Sequence, residues 1–195
     1  VGYFHDDQFD HLTYYRDRTM PPAHRLDHLP YRDPITGIRT EEVSMWGSNL
    51  SVWENPIPGH KYVIFGDISA GVSIDGDYSA APVLDVTDGA TRHVATLRLR
   101  TLPSRVGSCL AALGMYYNWA YLAVERNSYG LSVIERLNEL HYPNLYYDFI
   151  NQPAKPEVGW FTSTQSRELM LNRFRERVFQ HSLTIPYEMC ILEMG

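Results

Sequence analysis

The sequence predicts an α/β fold: a mixed five-stranded sheet flanked by helices, with an irregular N-terminal arm. Three observations lead there. Short apolar runs bounded by turn residues occupy positions 62–100, apolar residues at helical spacing follow from Pro103, and a nearly all-apolar strand, Ala120 to Glu125, separates two such helices. A meander followed by helix-crossed strands gives antiparallel pairing first and parallel pairing after it.

The arm is predicted over residues 1–60. It is rich in Pro, His, Asp and Tyr, and Pro21-Pro22, Leu29-Pro30 and Asp33-Pro34 break any helix. Ile38 to Trp53 has room for one or two short strands, with Trp46 and Trp53 leaning on the core. Residues 61–195 form the core. Tyr62 to Asp67 reads as a buried strand, followed by a turn marked by Gly71, Gly76 and Asp77. Ala81 to Val86 and His93 to Arg100 are two more strands, and Asp88-Gly89 between them is a tight-turn dipeptide, so they pair as a hairpin.

Pro103 opens the first helix, with Val106, Leu110, Leu113 and Tyr117 on one face. Ala120 to Glu125 is the fourth strand, apolar enough to be covered on both faces. Gly130 to Leu140 forms a second helix, Leu145 to Tyr147 a fifth strand, Asn151 to Thr164 a polar loop, and Gln165 to His181 a third helix. Pro186 to Glu193 begins a fourth.

The chain has 195 residues, 44% of them hydrophobic, enough for one domain with a real core and too many for a disordered chain. No apolar run is long enough to cross a membrane, and no basic-then-apolar leader opens the chain. Cys109 and Cys190 cannot make a disulfide framework and are expected to stay reduced, in a cytoplasmic setting. The net charge of −6 argues against a protein that lives by non-specific phosphate binding, and leaves room for an acidic metal site.

Chemistry concentrates at two strand ends. Asp67 closes the first strand and Glu125 the fourth, and in the predicted order these strands lie side by side and parallel. Ligands in such sheets sit outside the carboxyl ends of the strands. Two carboxylates at one edge repel, so one takes a proton unless a cation bridges them, and hard oxygen donors select magnesium or manganese. Asp77 and Asp75 in the following turn are further candidate ligands. The bland alternative has Asp67 capping a turn and Glu125 pairing with Arg126 or another arginine.

Several segments carry a family resemblance. Glu54-Asn55-Pro56-Ile57-Pro58-Gly59-His60-Lys61-Tyr62-Val63-Ile64-Phe65-Gly66-Asp67-Ile68-Ser69-Ala70-Gly71, Gly76-Asp77-Tyr78-Ser79-Ala80 and Val124-Glu125-Arg126-Asn127-Ser128-Tyr129-Gly130 resemble the nuclease domain of phage terminase large subunits. Tyr142-Pro143-Asn144-Leu145-Tyr146 and Gly159-Trp160-Phe161-Thr162-Ser163 do so as well, in the family's order. The resemblance spans about residues 45–195. It implies a ribonuclease H-like fold and a metal-dependent endonuclease that cuts concatemeric double-stranded DNA during packaging, in the host cytoplasm. It makes Asp67 and Glu125 metal ligands and Asp77 an auxiliary acid, around two ions about 3.5–4 Å apart that stabilise the attacking and leaving oxygens. It also implies an ATPase domain, a portal and a small terminase subunit as partners.

Two departures follow. No Gly-x-x-x-x-Gly-Lys-Ser/Thr loop is present, so the chain reads as an isolated nuclease domain. The family's third acid falls in a segment beyond Gly195, so the core is expected to be truncated and weak or inactive. His5-Asp6-Asp7 repeats that motif's letters at the wrong end and is taken as coincidence. This keeps open a catalytically incomplete DNA-gripping or docking module; a resolvase or transposase of the same superfold is the other alternative.

Local charge must provide any DNA contact. Arg92, Arg98, Arg100 and Arg105 lie in a window without an acid, and Arg98 and Arg100 share one strand face. Arg126 and Asn127 either touch a phosphate or hold the strand end. Arg167, Arg173, Arg175 and Arg177 read as an ordinary solvated helix face. His24 and His28 are crowded by prolines and read as surface residues, not zinc ligands. Cys109 and Cys190 read as buried thiols, Ser69 and Ser73 lack a nucleophile elbow, and Tyr116, Tyr117 and Trp119 read as packing.

Overall fold

A seven-stranded mixed sheet is the frame of the molecule in the computed structural model. The structure describes residues 9–45, 48–71, 76–126, 129–150 and 153–194. In chain order the elements are α1 (Phe9–Arg16), β1 (His24–Arg25), β2 (His28–Arg32), β3 (Arg39–Ser44), β4 (Ser48–Val52), β5 (Tyr62–Gly66), β6 (Ser79–Asp85) and β7 (Thr91–Leu99). Then come α2 (Pro103–Tyr116), β8 (Tyr121–Val124), α3 (Gly130–Glu139), α4 (Thr164–Phe179), β9 (Leu183–Thr184) and α5 (Glu188–Leu192). The sheet order is β1-β4-β7-β6-β5-β8, with β9 beside β7, and β2–β3 form a separate two-stranded ribbon.

The meander β5–β6–β7 and the parallel return of β8 to β5 stand as the sequence predicts. Alternation in β5 buries Tyr62, Ile64 and Gly66 on one face and leaves Val63 and Phe65 half-buried on the other. The first face packs on α2, whose Val106, Leu110, Leu113 and Tyr117 are buried, and α3 backs it through Val133 and Leu137. Burying each such aliphatic side chain contributes about 1.5–3 kcal/mol. The second face is covered only loosely. Near the start of β5 an apolar cavity of about 470 Å³ separates Val63, Pro82 and Leu84 from Phe174 and Ile185, while at the far end Asp67 is exposed.

Residues 24–52 are not irregular. Strand β4 pairs antiparallel with β7 and β1 with β4, so two of the sheet's strands come from the predicted arm. The β2–β3 ribbon lies against α2, where Tyr31 is fully buried and donates its hydroxyl to the Leu140 carbonyl at 2.6 Å. Trp53 packs on His93 and Tyr187 and donates to the Met20 carbonyl; Trp46 and His5-Asp6-Asp7 lie outside the described residues. Helix α1 meets α4 and α5 in a second small core of Leu12, Tyr15, Val178, Ile185, Ile191 and Met194.

The predicted fifth strand is a correction too. Leu145 makes only a single parallel bridge to Leu122, because the chain then turns away and Tyr147 bridges Val158. The open edge of β8 is shared: Tyr146 donates to the Leu122 carbonyl, and Trp160, from the predicted polar loop, donates to the Val124 carbonyl at 2.7 Å. No helix among the described residues is long and apolar enough to cross a membrane.

Candidate active site

The parallel register of β5 and β8 runs from Val63↔Tyr121 to Gly66↔Val124. It continues one residue further, since the Glu125 N–H donates to the Gly66 carbonyl at 2.9 Å. Asp67 and Glu125 are therefore lateral neighbours, and neighbours in a pleated sheet project from the same face. On its other side Asp67 exchanges both backbone hydrogen bonds with Ala80, each at 3.0 Å. The backbone fixes both acids from two sides before any ligand arrives.

Their carboxyl groups are hydrogen-bonded to each other, which requires one proton between them. The Asp67 carboxyl is held above the ordinary aspartate value. Protein atoms crowd out its water on one side, the Glu125 charge and hydrogen bond add to this, and the charge of Asp77 adds last. Asp67 nevertheless keeps exposed surface. Such a pair is an oxygen donor set waiting for positive charge, and its chemistry suits a hard divalent cation.

Asp77 stands further off. It is exposed, its carbonyl accepts from the Ser69 hydroxyl at 2.7 Å, and its charge reaches Asp67. Among the described residues no group of three or more His, Cys, Asp or Glu side chains gathers as a metal site. The fold thus brings together two of the three predicted acids. Asp75 and Asn127 lie outside the described residues.

Close backbone packing holds Glu125. A side chain at Gly130, the first residue of α3, would collide with the Glu125 carbonyl oxygen. Gly159 has φ +92°, and a Cβ there would sit 2.6 Å from Ile134 Cδ1 and 2.8 Å from the Val124 carbonyl. These glycines let α3 and the Trp160 segment close on the strand end from both sides. Arg126 forms an ion pair with Glu157, and its guanidinium lies 5.8 Å from the Phe161 ring. It ties the strand end to the Trp160 segment, the second of its two predicted roles.

Arg98 pairs with Ala80, which bridges Asp67, so Arg98 stands two strands from the acid on the same face. Arg98 and Arg100 both stack over Tyr78, at 4.0 and 4.2 Å from its ring centroid. Arg92 is instead bound to Asp85 at 2.6 Å, and Arg105 reaches the Ser44 carbonyl at 3.4 Å. On α4, Arg173 and Arg177 line the apolar cavity and Arg177 donates to the Thr91 hydroxyl at 3.2 Å. His24 and His28 sit on β1 and β2 at the surface. Burial pushes the Cys109 thiol up to about 11, and likewise that of Cys190, so both are unreactive.

Sequence reasoning missed Tyr78 and Trp160 as site neighbours. Tyr78 had a signal, its place directly after Asp77, but its stacking depends on the β6–β7 register. Trp160 had none, because its partner Glu125 is far along the chain.

No family model and no curated protein matches the chain. Solved structures do. The large terminase nuclease from thermophilic phage G20c with bound magnesium superposes with TM-score 0.57 at 18% identity, covering 94% of this chain and 78% of that one. The same nuclease with bound cobalt gives TM-score 0.56 at 19% identity, with 94% and 78% covered. The large terminase nuclease domain of Thermus phage P74-26 gives 0.53 at 19% identity, with 93% and 75% covered. The sheet that aligns Asp67 with Glu125 is thus the ribonuclease H-like fold of phage large-terminase nuclease domains.

Proposed function

We propose that this chain is the metal-dependent endonuclease domain of a viral DNA-packaging terminase, acting on concatemeric double-stranded DNA. One observation supports it above the others: Asp67 and Glu125 share a proton at the carboxyl ends of adjacent parallel strands, on the open face of the sheet. Asp67 and Glu125 would hold magnesium or manganese, with Asp77 supplying negative charge from beside them. The cation would supply charge stabilisation for the attacking and leaving oxygens of phosphodiester hydrolysis. The protein's own part is to hold two carboxylates rigidly, to exchange their shared proton for a cation, and to offer Arg98 and Arg100 to the DNA backbone. On this reading the full motor adds an ATPase domain, a portal and a small subunit, in the host cytoplasm.

A plasmid-nicking assay with Mn²⁺ and with Mg²⁺ tests this. Cutting is expected with either ion and not in EDTA. Asp67→Asn and Glu125→Gln should each lower the rate by about 10²–10³, as losing one stabiliser of transition-state charge does. Undiminished cutting by both variants would sink the assignment. A second reading, a DNA-gripping module without a complete nuclease site, is favoured by the absence of a three-acid group among the described residues. It predicts DNA binding with no cutting in either metal.

A further inference from the structure

The Tyr78–Arg98–Arg100 cluster has a geometry that neither core packing nor the acid pair explains. Arg98 lies on β7 and Arg100 just beyond its end, two residues apart, so both side chains leave the same face of the sheet. That spacing sets two positive charges about 7 Å apart at their Cα atoms, where they repel. Tyr78 answers the repulsion. Its ring lies under both guanidinium groups, at 4.0 and 4.2 Å from the centroid, and its negative π face attracts each of them. The ring itself is 41% exposed, so the arrangement is presented outward and is not a core contact. An acid would neutralise the two charges, whereas an aromatic ring orders them and leaves their charge intact.

The cluster also has a fixed place. Arg98 is opposite Ala80, and Ala80 is bridged to Asp67, so Arg98 and Asp67 share one lateral row across the sheet. Two strand spacings separate them, about 10 Å. A nucleic-acid strand rises about 3.4 Å per nucleotide, so about three nucleotides span that distance.

Resting on the nuclease reading above, we propose that Arg98, Arg100 and Tyr78 form a subsite for a backbone phosphate of duplex DNA about three nucleotides from the bond over Asp67 and Glu125. Arg98 and Arg100 contact the phosphate. Tyr78 is the positioning residue, holding both guanidinium groups in the orientation that a phosphate needs and so reducing the ordering that binding requires. The subsite reads no base, since phosphate contacts fix register and carry no sequence information.

The experiment is fluorescence anisotropy with a labelled 30-base-pair DNA duplex, in EDTA so that no cutting occurs, across a salt series. The unmodified chain should bind with a salt-dependent affinity. Arg98→Ala with Arg100→Ala should lower the slope of log affinity against log salt by about 2, one per lost phosphate contact. Tyr78→Ala should weaken binding roughly three- to tenfold at constant protein stability, whereas Tyr78→Phe, which keeps the ring, should bind like the unmodified chain. Phe failing as badly as Ala would overturn the stacking role. An unchanged salt slope in the double arginine variant, with binding intact, would overturn the subsite and leave the nuclease reading standing. An unmodified chain that binds no DNA duplex, or binds an RNA duplex of the same sequence in preference, overturns both. The Phe variant keeps the test decisive even where Tyr78→Ala fails to fold.

Discussion

The antiparallel pair β5–β6 carries an aspartate at each end, and the two are treated in opposite ways. Asp85, across from Tyr62, is almost completely buried, yet its carboxyl is held below the ordinary aspartate value. Burial by itself would raise it, but Thr87 donates through its hydroxyl at 2.5 Å and its N–H at 3.0 Å, with His60 at 2.7 Å and Arg92 at 2.6 Å. Asp67, at the other end, is exposed and is nevertheless raised, because its closest polar partner is another acid. Exposure therefore does not tell a structural carboxylate from a functional one. The sign of what surrounds it does: four donors consume the charge of Asp85, while Asp67 keeps a deficit of positive charge that a ligand would fill.

The largest expected effect lies at the structural end. Asp85→Ala leaves His60, Thr87 and Arg92 facing an empty site, and should destabilise the fold by about 2–4 kcal/mol in urea melts. That is somewhat below the range for fully buried pairs, because the Arg92 side chain keeps 31% of its exposure. A loss under about 1 kcal/mol would break the comparison. Next comes the backbone of the functional end. Gly130→Ala forces a methyl group onto the Glu125 carbonyl, and should cost about 1–3 kcal/mol as overpacking does. Manganese affinity, read by calorimetry, should fall as well, since Glu125 must move. Retained affinity would mean that the strand end is less tightly built than its contacts imply.

The smallest effect is in the pH dependence of stability. The lowered value of Asp85 gives stability that is fully present above the unfolded value of about 3.9 and is lost as pH falls through the folded value. Asp67 has the reverse sign: its raised value means that the folded state binds a proton more tightly than the unfolded chain. Stability should therefore fall as pH rises from about 4 through the folded value of Asp67. Asp67→Asn should remove that decline and leave the acid-side loss untouched, in melting curves recorded without metal. An unchanged pH profile would show that the two acids do not interact in solution.

Much of this contrast was legible in the sequence, and the legible part is local. Tyr62 to Gly66 alternates cleanly, Asp88-Gly89 closes the hairpin with Gly89 at φ +78°, and Pro103 begins α2 as its fixed φ favours. Parallel pairing of the first and fourth strands, and with it the meeting of Asp67 and Glu125, followed from strand order alone. What did not follow was non-local. His24-Arg25 and Ser48 to Val52 are short, polar or bounded by turn residues, and become strands only because β7 offers its free edge. Glu125 finds Trp160, and Arg126 finds Glu157, across a loop whose composition reads as solvent-exposed. Asp85 carried no signal either, since its donors come from both flanks of the sheet.

The parallel return of β8 to β5 also bears on the order in which the molecule assembles. β5, β6 and β7 are consecutive antiparallel neighbours, whereas β8 reaches β5 only after the chain has passed through both other strands and all of α2. Contacts of such long sequence separation must overcome the entropy of closing a large loop before they return any stabilisation, so they form late. The meander collapses with Asp67 already in its final place beside Ala80, and Glu125 arrives only when α2 has docked and β8 slides in. Electrostatic repulsion between the acids is then absent from the rate-limiting step of folding and falls on the native state alone. A substitution or ion that relieves it should act on the rate of unfolding and leave the rate of folding nearly unchanged.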